Sequence, residues 1–170
     1  MDWIFSLCCG NTRKKYAVAV LGREEDQKHI LEHVVQNRKY GRTLRPFYEE
    51  VVITNGMELI LQCLDDNKDL YEIREIHIGH AAAIMFVVDS GNKDSVDRCI
   101  SLITEDVTKT KDVVLVFCRS SVYEGESVGK IKRACEETNH GKIELVLYEE
   151  EKASSSIRKG INWICNRLEE

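Results

Sequence analysis

A chain of 170 residues, 43% hydrophobic and 31% charged with a single proline, can bury one full core, which excludes a disordered or fibrous polymer. A formal charge of −5 argues against broad nucleic-acid binding, and no apolar run is long enough to span a bilayer as a helix. Seven cysteines, at 8, 9, 63, 99, 118, 135 and 165, are odd in number and mostly lie inside apolar patterns, so reduced thiols in the cytosol are expected rather than a disulfide framework.

The first ten residues, MDWIFSLCCG, set Trp3, Ile4, Phe5 and Leu7 beside the pair Cys8-Cys9, with Arg13, Lys14 and Lys15 close behind. Adjacent cysteines, an apolar turn and a basic cluster suit S-acylation combined with attraction to anionic lipid. N-myristoylation is excluded because Asp2 stands where a glycine is required. The other reading of the segment is an amphipathic turn docked on the domain. Residues 1–14 are therefore set apart from a domain over 15–170.

Tyr16 to Leu21 reads as a buried strand, and Ile30, Leu31, Val34 and Val35 recur at helical spacing after it. Between them lies Gly22-Arg23-Glu24-Glu25-Asp26-Gln27-Lys28-His29. A phosphate-cradling loop reads G-x-x-x-x-G-K-[S/T]. Gly22 and Lys28 are in register, but Gln27 replaces the second glycine and His29 the hydroxyl that would ligate magnesium. A triphosphate there would also lie against Glu24, Glu25 and Asp26, where each like-charge contact at about 4 Å costs on the order of 4 kcal/mol at an effective dielectric near 20. The expectation is that these carboxylates occupy the helix N-terminus, Asp26 as its cap and Lys28 as counter-ion.

Glu49 to Thr54 and Met57 to Leu64 are strand-like runs separated by Asn55-Gly56, the strongest short hairpin signal. A weak helix follows through Tyr71, Ile73 and Ile76. Ala81 to Asp89 is the longest apolar run and the expected central parallel strand. Val96, Cys99, Ile100, Ile103 and Val107 give the next helix its buried face; Val113 to Cys118 is a strand; Val128, Ile131, Ala134 and Cys135 mark another helix. Ile143 to Tyr148 is the last strand, and Ser154 to Ser156 cap a final helix with Ile157, Ile161, Ile164 and Leu168 on one side. The order β-α-β-β-α-β-α-β-α-β-α predicts an α/β fold: a doubly wound, mostly parallel six-stranded sheet with one antiparallel hairpin.

With these pieces in place, the chain resembles the Arf/Arl branch of the small Ras-like GTPases from Lys15 to its end. The likeness is carried by Val20-Leu21-Gly22 with Lys28, by Phe86-Val87-Val88-Asp89-Ser90, by Val114-Leu115-Val116-Phe117, and by Lys159-Gly160-Ile161-Asn162-Trp163-Ile164. It implies a Ras-like P-loop NTPase fold and a trafficking-type role. Against the family's working residues the chain departs almost everywhere. The Asp-x-x-Gly-Gln segment corresponds to Cys63-Leu64-Asp65-Asp66-Asn67, so Cys63, Asp66 and Asn67 stand for the magnesium-linked Asp, the switch Gly and the water-positioning Gln. The guanine-reading Asn-Lys-x-Asp becomes Arg119-Ser120-Ser121-Val122, and Val122 cannot accept the base N–H donors. The last base-binding loop becomes approximately Glu150-Glu151-Lys152, and Thr43 is the nearest residue to the first switch Thr.

Other chemistries remain open at this stage. The loops following the strands form an acidic rim that could hold a divalent cation through oxygen ligands, or serve as a face for basic partners. A phosphoacceptor receiver domain is disfavoured by the hairpin. His77 and His80 could face together for a metal with His29 or Cys63, although their spacing is common by chance. Cys63 and Cys118 read better as small buried hydrophobes than as nucleophiles. The reading that gathers most of these features is a non-hydrolysing pseudo-GTPase: a cytoplasmic protein-binding module, peripheral on endomembranes, that meets partner proteins through residues 42–78. It expects no catalytic residue, no metal ligand set, no cofactor and no nucleic-acid partner. The alternative, a weak GTP-binding protein with slow hydrolysis, would need GTP or GDP and Mg²⁺.

Overall fold

A computed structural model describes residues 13–34, 47–64, 68–105, 108–120, 125–138 and 143–170. Six strands, β1 (Lys14–Leu21), β2 (Phe47–Thr54), β3 (Met57–Leu64), β4 (Ala83–Asp89), β5 (Val114–Arg119) and β6 (Ile143–Tyr148), form one sheet in the order β2-β3-β1-β4-β5-β6. The β2–β3 pair is antiparallel and every other pair is parallel. Five helices complete an α/β fold: α1 (Glu24–Val34), α2 (Tyr71–His80), α3 (Lys93–Thr104), α4 (Gly125–Glu137) and α5 (Ala153–Glu169). None of them is long and apolar enough to cross a membrane.

The apolar runs have a simple cause. Side chains alternate across a strand, so a strand covered on both faces must be apolar at every position. On one face Val18, Val20, Met85, Val87, Leu115 and Phe117 pack against α1 and α5. On the other, Ala19, Leu21, Ile84, Phe86, Val114 and Val116 pack against α2, α3 and α4. Cys63, Cys99, Cys118 and Cys165 are reduced thiols within these two layers. Burial pushes the Cys63 thiol up to about 12, so it stays protonated at neutral pH.

The Asn55-Gly56 signal holds: Asn55 at φ 49° and Gly56 at φ 75° turn β2 into β3. Ile157, Ile161 and Ile164 are buried along one side of α5, as their spacing predicts. One helix reading, the α5 cap, needs correction. The helix through Tyr71, Ile73 and Ile76 does form as α2, with these three side chains pointing outward and Arg74 and Ile78 buried. The Arg74 guanidinium is offset there by Glu105 at 3.2 Å and by the Tyr71 ring. At α5 the serines lie inside the helix, which starts one residue before Ser154, with Lys152 as N-cap and no capping side chain. Of the expected α3 face, Val107 lies outside the described residues, and the helix ends at Thr104.

Candidate functional site

All five parallel-paired strands deliver their carboxyl ends to one rim, at Leu21, Leu64, Asp89, Arg119 and Tyr148. In an open α/β sheet ligands bind at this rim, beside the strand from which the chain winds in both directions, here β1. Gly22, at the tip of β1, adopts φ 145°, and a Cβ there would sit 2.3 Å from the Val87 carbonyl oxygen. Only glycine lets the loop turn so close to β4.

Past that turn, the chain's own side chains fill the rim. Gln27 is buried, and its amide donates to the carbonyls of Gly22 at 2.8 Å and Leu64 at 2.9 Å, joining the ends of β1 and β3. Lys28 meets Glu24 at 2.6 Å, one helical turn away. The acidic first turn of α1 is as expected, with Glu24, Glu25 and Asp26 beside the partial positive charge of the helix end. Asp26 is not its cap, however. The helix begins at Glu24, and the Asp26 carboxylate instead accepts a 2.7 Å hydrogen bond from Ser95 on α3. The same Ser95 hydroxyl accepts from the Asp89 backbone N–H at 3.0 Å.

Burial raises the Asp26 carboxyl above its ordinary value of 3.8, against the Ser95 hydrogen bond and with help from the Asp89 charge. The folded chain therefore binds this proton more tightly than the unfolded chain, and the Asp26 contribution to stability declines as pH rises from 3.8 through the folded value. Asp26→Asn keeps an oxygen for Ser95 and removes the desolvated charge. Its urea midpoint at pH 7 is expected to exceed that of the parent, with the difference vanishing toward pH 4; an unchanged difference across that range refutes the assignment.

Further along the rim, Arg119 pairs with Asp89 and lies 3.9 Å from Glu150, while Ser90 donates to the Arg119 carbonyl at 2.7 Å. Arg119, at the carboxyl end of β5, is thus tied to β4. Among the described residues of the rim, Glu24 meets Lys28, Glu25 meets Arg23, Asp26 meets Ser95 and Asp89 meets Arg119, and no oxygen-only cation cage is gathered. Asp66, Asn67, Val122, Thr43, Cys8 and Cys9 lie outside the described residues.

The grouping of His77 and His80 with His29 or Cys63, which the sequence left open, is not what the fold builds. His77 stacks on Phe47 with ring centres 4.3 Å apart, and His80 is bonded to the Ile76 carbonyl. Cys63 faces the core. The imidazoles that do meet are His29 and His33, together with Glu150. The spacing of four between the two histidines on α1 was visible in the sequence; Glu150, from the connection between β6 and α5, was not.

No protein-family model matches the chain, and no curated protein matches it either.

Proposed function

We propose that this chain is an Arf-like pseudo-GTPase with a Ras-like P-loop NTPase fold, a non-enzymatic module that binds partner proteins in membrane trafficking. The observation that carries the reading is Gln27. Where a phosphate loop needs a bare glycine, a buried amide is bonded to the loop's own carbonyl and to that of Leu64, so the turn is complete without a ligand. Lys28, the residue that would reach phosphates, faces Glu24. The sheet order, with β1 between β3 and β4, and the antiparallel edge hairpin support the family likeness. Exposed Tyr71, Ile73 and Ile76 on α2, with Val51 and Ile53 on β2, supply apolar contact surface within the proposed partner-binding region. Cys8 and Cys9 would add membrane attachment, so fractionation of a Cys8→Ser/Cys9→Ser variant should shift the protein out of the membrane pellet.

The deciding experiment is to purify the protein, denature it and chromatograph the released small molecules. No guanine nucleotide is expected above trace; stoichiometric GDP or GTP overturns the proposal in favour of a slow GTPase. Lys28→Ala should cost only about 0.3–0.5 kcal/mol, the worth of a partly exposed helical ion pair. Its melting temperature should respond identically with and without added GDP and Mg²⁺, and a nucleotide-dependent loss would contradict the pseudo-GTPase reading.

A further inference from the structure

We propose that His29, His33 and Glu150 form a Zn²⁺-binding site that clips α1 to the connection between β6 and α5. Two imidazoles and a carboxylate are a ligand set that zinc favours, with a fourth position left for water. Four residues apart on α1, the histidines lie one turn above each other on the same face. The donor atoms of all three residues lie within 4.8 Å of one another. A tetrahedral ion with bonds of about 2.0–2.2 Å holds its ligand atoms about 3.3–3.6 Å apart. His29 Nε2 already stands 3.3 Å from one Glu150 oxygen, and His33 Nε2 stands 3.8 Å from the other.

Two further observations point to an ion rather than to an ordinary surface ion pair. His29 Nε2 is buried and, despite its nearness to Glu150, makes no hydrogen bond among the described residues. A metal at this place would satisfy that nitrogen. His33 Nδ1 lies 3.1 Å from the Ser154 hydroxyl, a contact that fixes the ring and leaves Nε2 turned toward Glu150. Metal-bound histidines are commonly oriented in this way through their second nitrogen. The His29 ring also stacks on Tyr148, with centres 5.9 Å apart, which limits its freedom to turn away. Arg119 approaches the same carboxylate but is anchored on Asp89, so it does not displace a ligand. His29 and Glu150 stand at positions that the family likeness gives to the magnesium hydroxyl and the last base-binding loop, so Zn²⁺ binding is measured without nucleotide and read separately from the GDP test.

Full-length protein carrying Cys8→Ser and Cys9→Ser, to remove the vicinal thiols as rival ligands, is stripped with chelator and titrated calorimetrically with Zn²⁺ alone. One equivalent is expected to bind and to raise the melting temperature. His33→Ala and Glu150→Gln should each weaken binding at least tenfold, and Ser154→Ala by about tenfold. With Co²⁺ in place of Zn²⁺, four-coordinate visible bands are expected without thiolate-to-cobalt charge transfer. His33 and Glu150 are partly exposed, so their replacements should fold, and if one does not, the other decides. Absence of binding, affinity unchanged in the folded variants, or a thiolate signature each overturns the site.

Discussion

Gly22→Ala is expected to lose on the order of 4 kcal/mol of folding stability and about 10 °C in melting temperature. Two costs combine. A backbone at φ 145° is ground that a side-chain-bearing residue occupies at a cost of about 1–3 kcal/mol. The new methyl would also sit 2.3 Å from the Val87 carbonyl oxygen, a backbone atom locked into the sheet, so relief demands that β1 and β4 separate at their ends. Against a typical total of about 5–15 kcal/mol the loss is large. Guanidinium unfolding monitored by circular dichroism measures it. The loss should be identical in the presence of GDP, because the strain belongs to the sheet and not to a bound phosphate; a drop below about 1 kcal/mol would show that the turn can rearrange.

Gln27→Glu is expected to cost about 3–5 kcal/mol at neutral pH, the second large effect. The substitution is nearly isosteric, so packing is preserved and the chemistry alone changes. The amide nitrogen that donates both hydrogen bonds becomes an oxygen facing the carbonyls of Gly22 and Leu64 at 2.8 and 2.9 Å, in a place only 3% exposed. A carboxylate there repels both acceptors, and burial drives it to take up a proton, which restores one donor but not two. The folded form then binds that proton more tightly than the unfolded form, so stability should recover in part as the pH is lowered toward the ordinary carboxyl range. Gln27→Met loses the hydrogen bonds without adding charge; it should cost less, about 2–3 kcal/mol, and show no such acid recovery. If both variants unfold at the parental midpoint, Gln27 does not close the loop.

The layered sheet could be read in the chain because strands buried on both faces leave an unbroken apolar signature, as Ala81 to Asp89 does, and because Asn55-Gly56 needs no distant partner to turn. The rim was less legible. Gln27 looked like a damaged glycine, and its role appears only when Leu64, 37 residues on, arrives beside it. Asp26 looked like a cap because aspartate so often is one, whereas Ser95 draws it into the first turn instead. The α2 helix was legible as a helix, but its inner face was not: Arg74, steadied by Glu105, takes a buried position while Ile73 and Ile76 point outward. His29 and His33 carried a readable spacing, but the carboxylate that meets them comes from a segment far along the chain.

Cys63, Cys99, Cys118 and Cys165 fall on β3, α3, β5 and α5, one on each of four separate elements. Shielded sulfur reacts with an aromatic disulfide reagent only when its own element parts from its neighbours. The protein thus carries four built-in clocks, and the sequence in which they are modified, read by peptide mass, would chart which edge of the molecule breathes first.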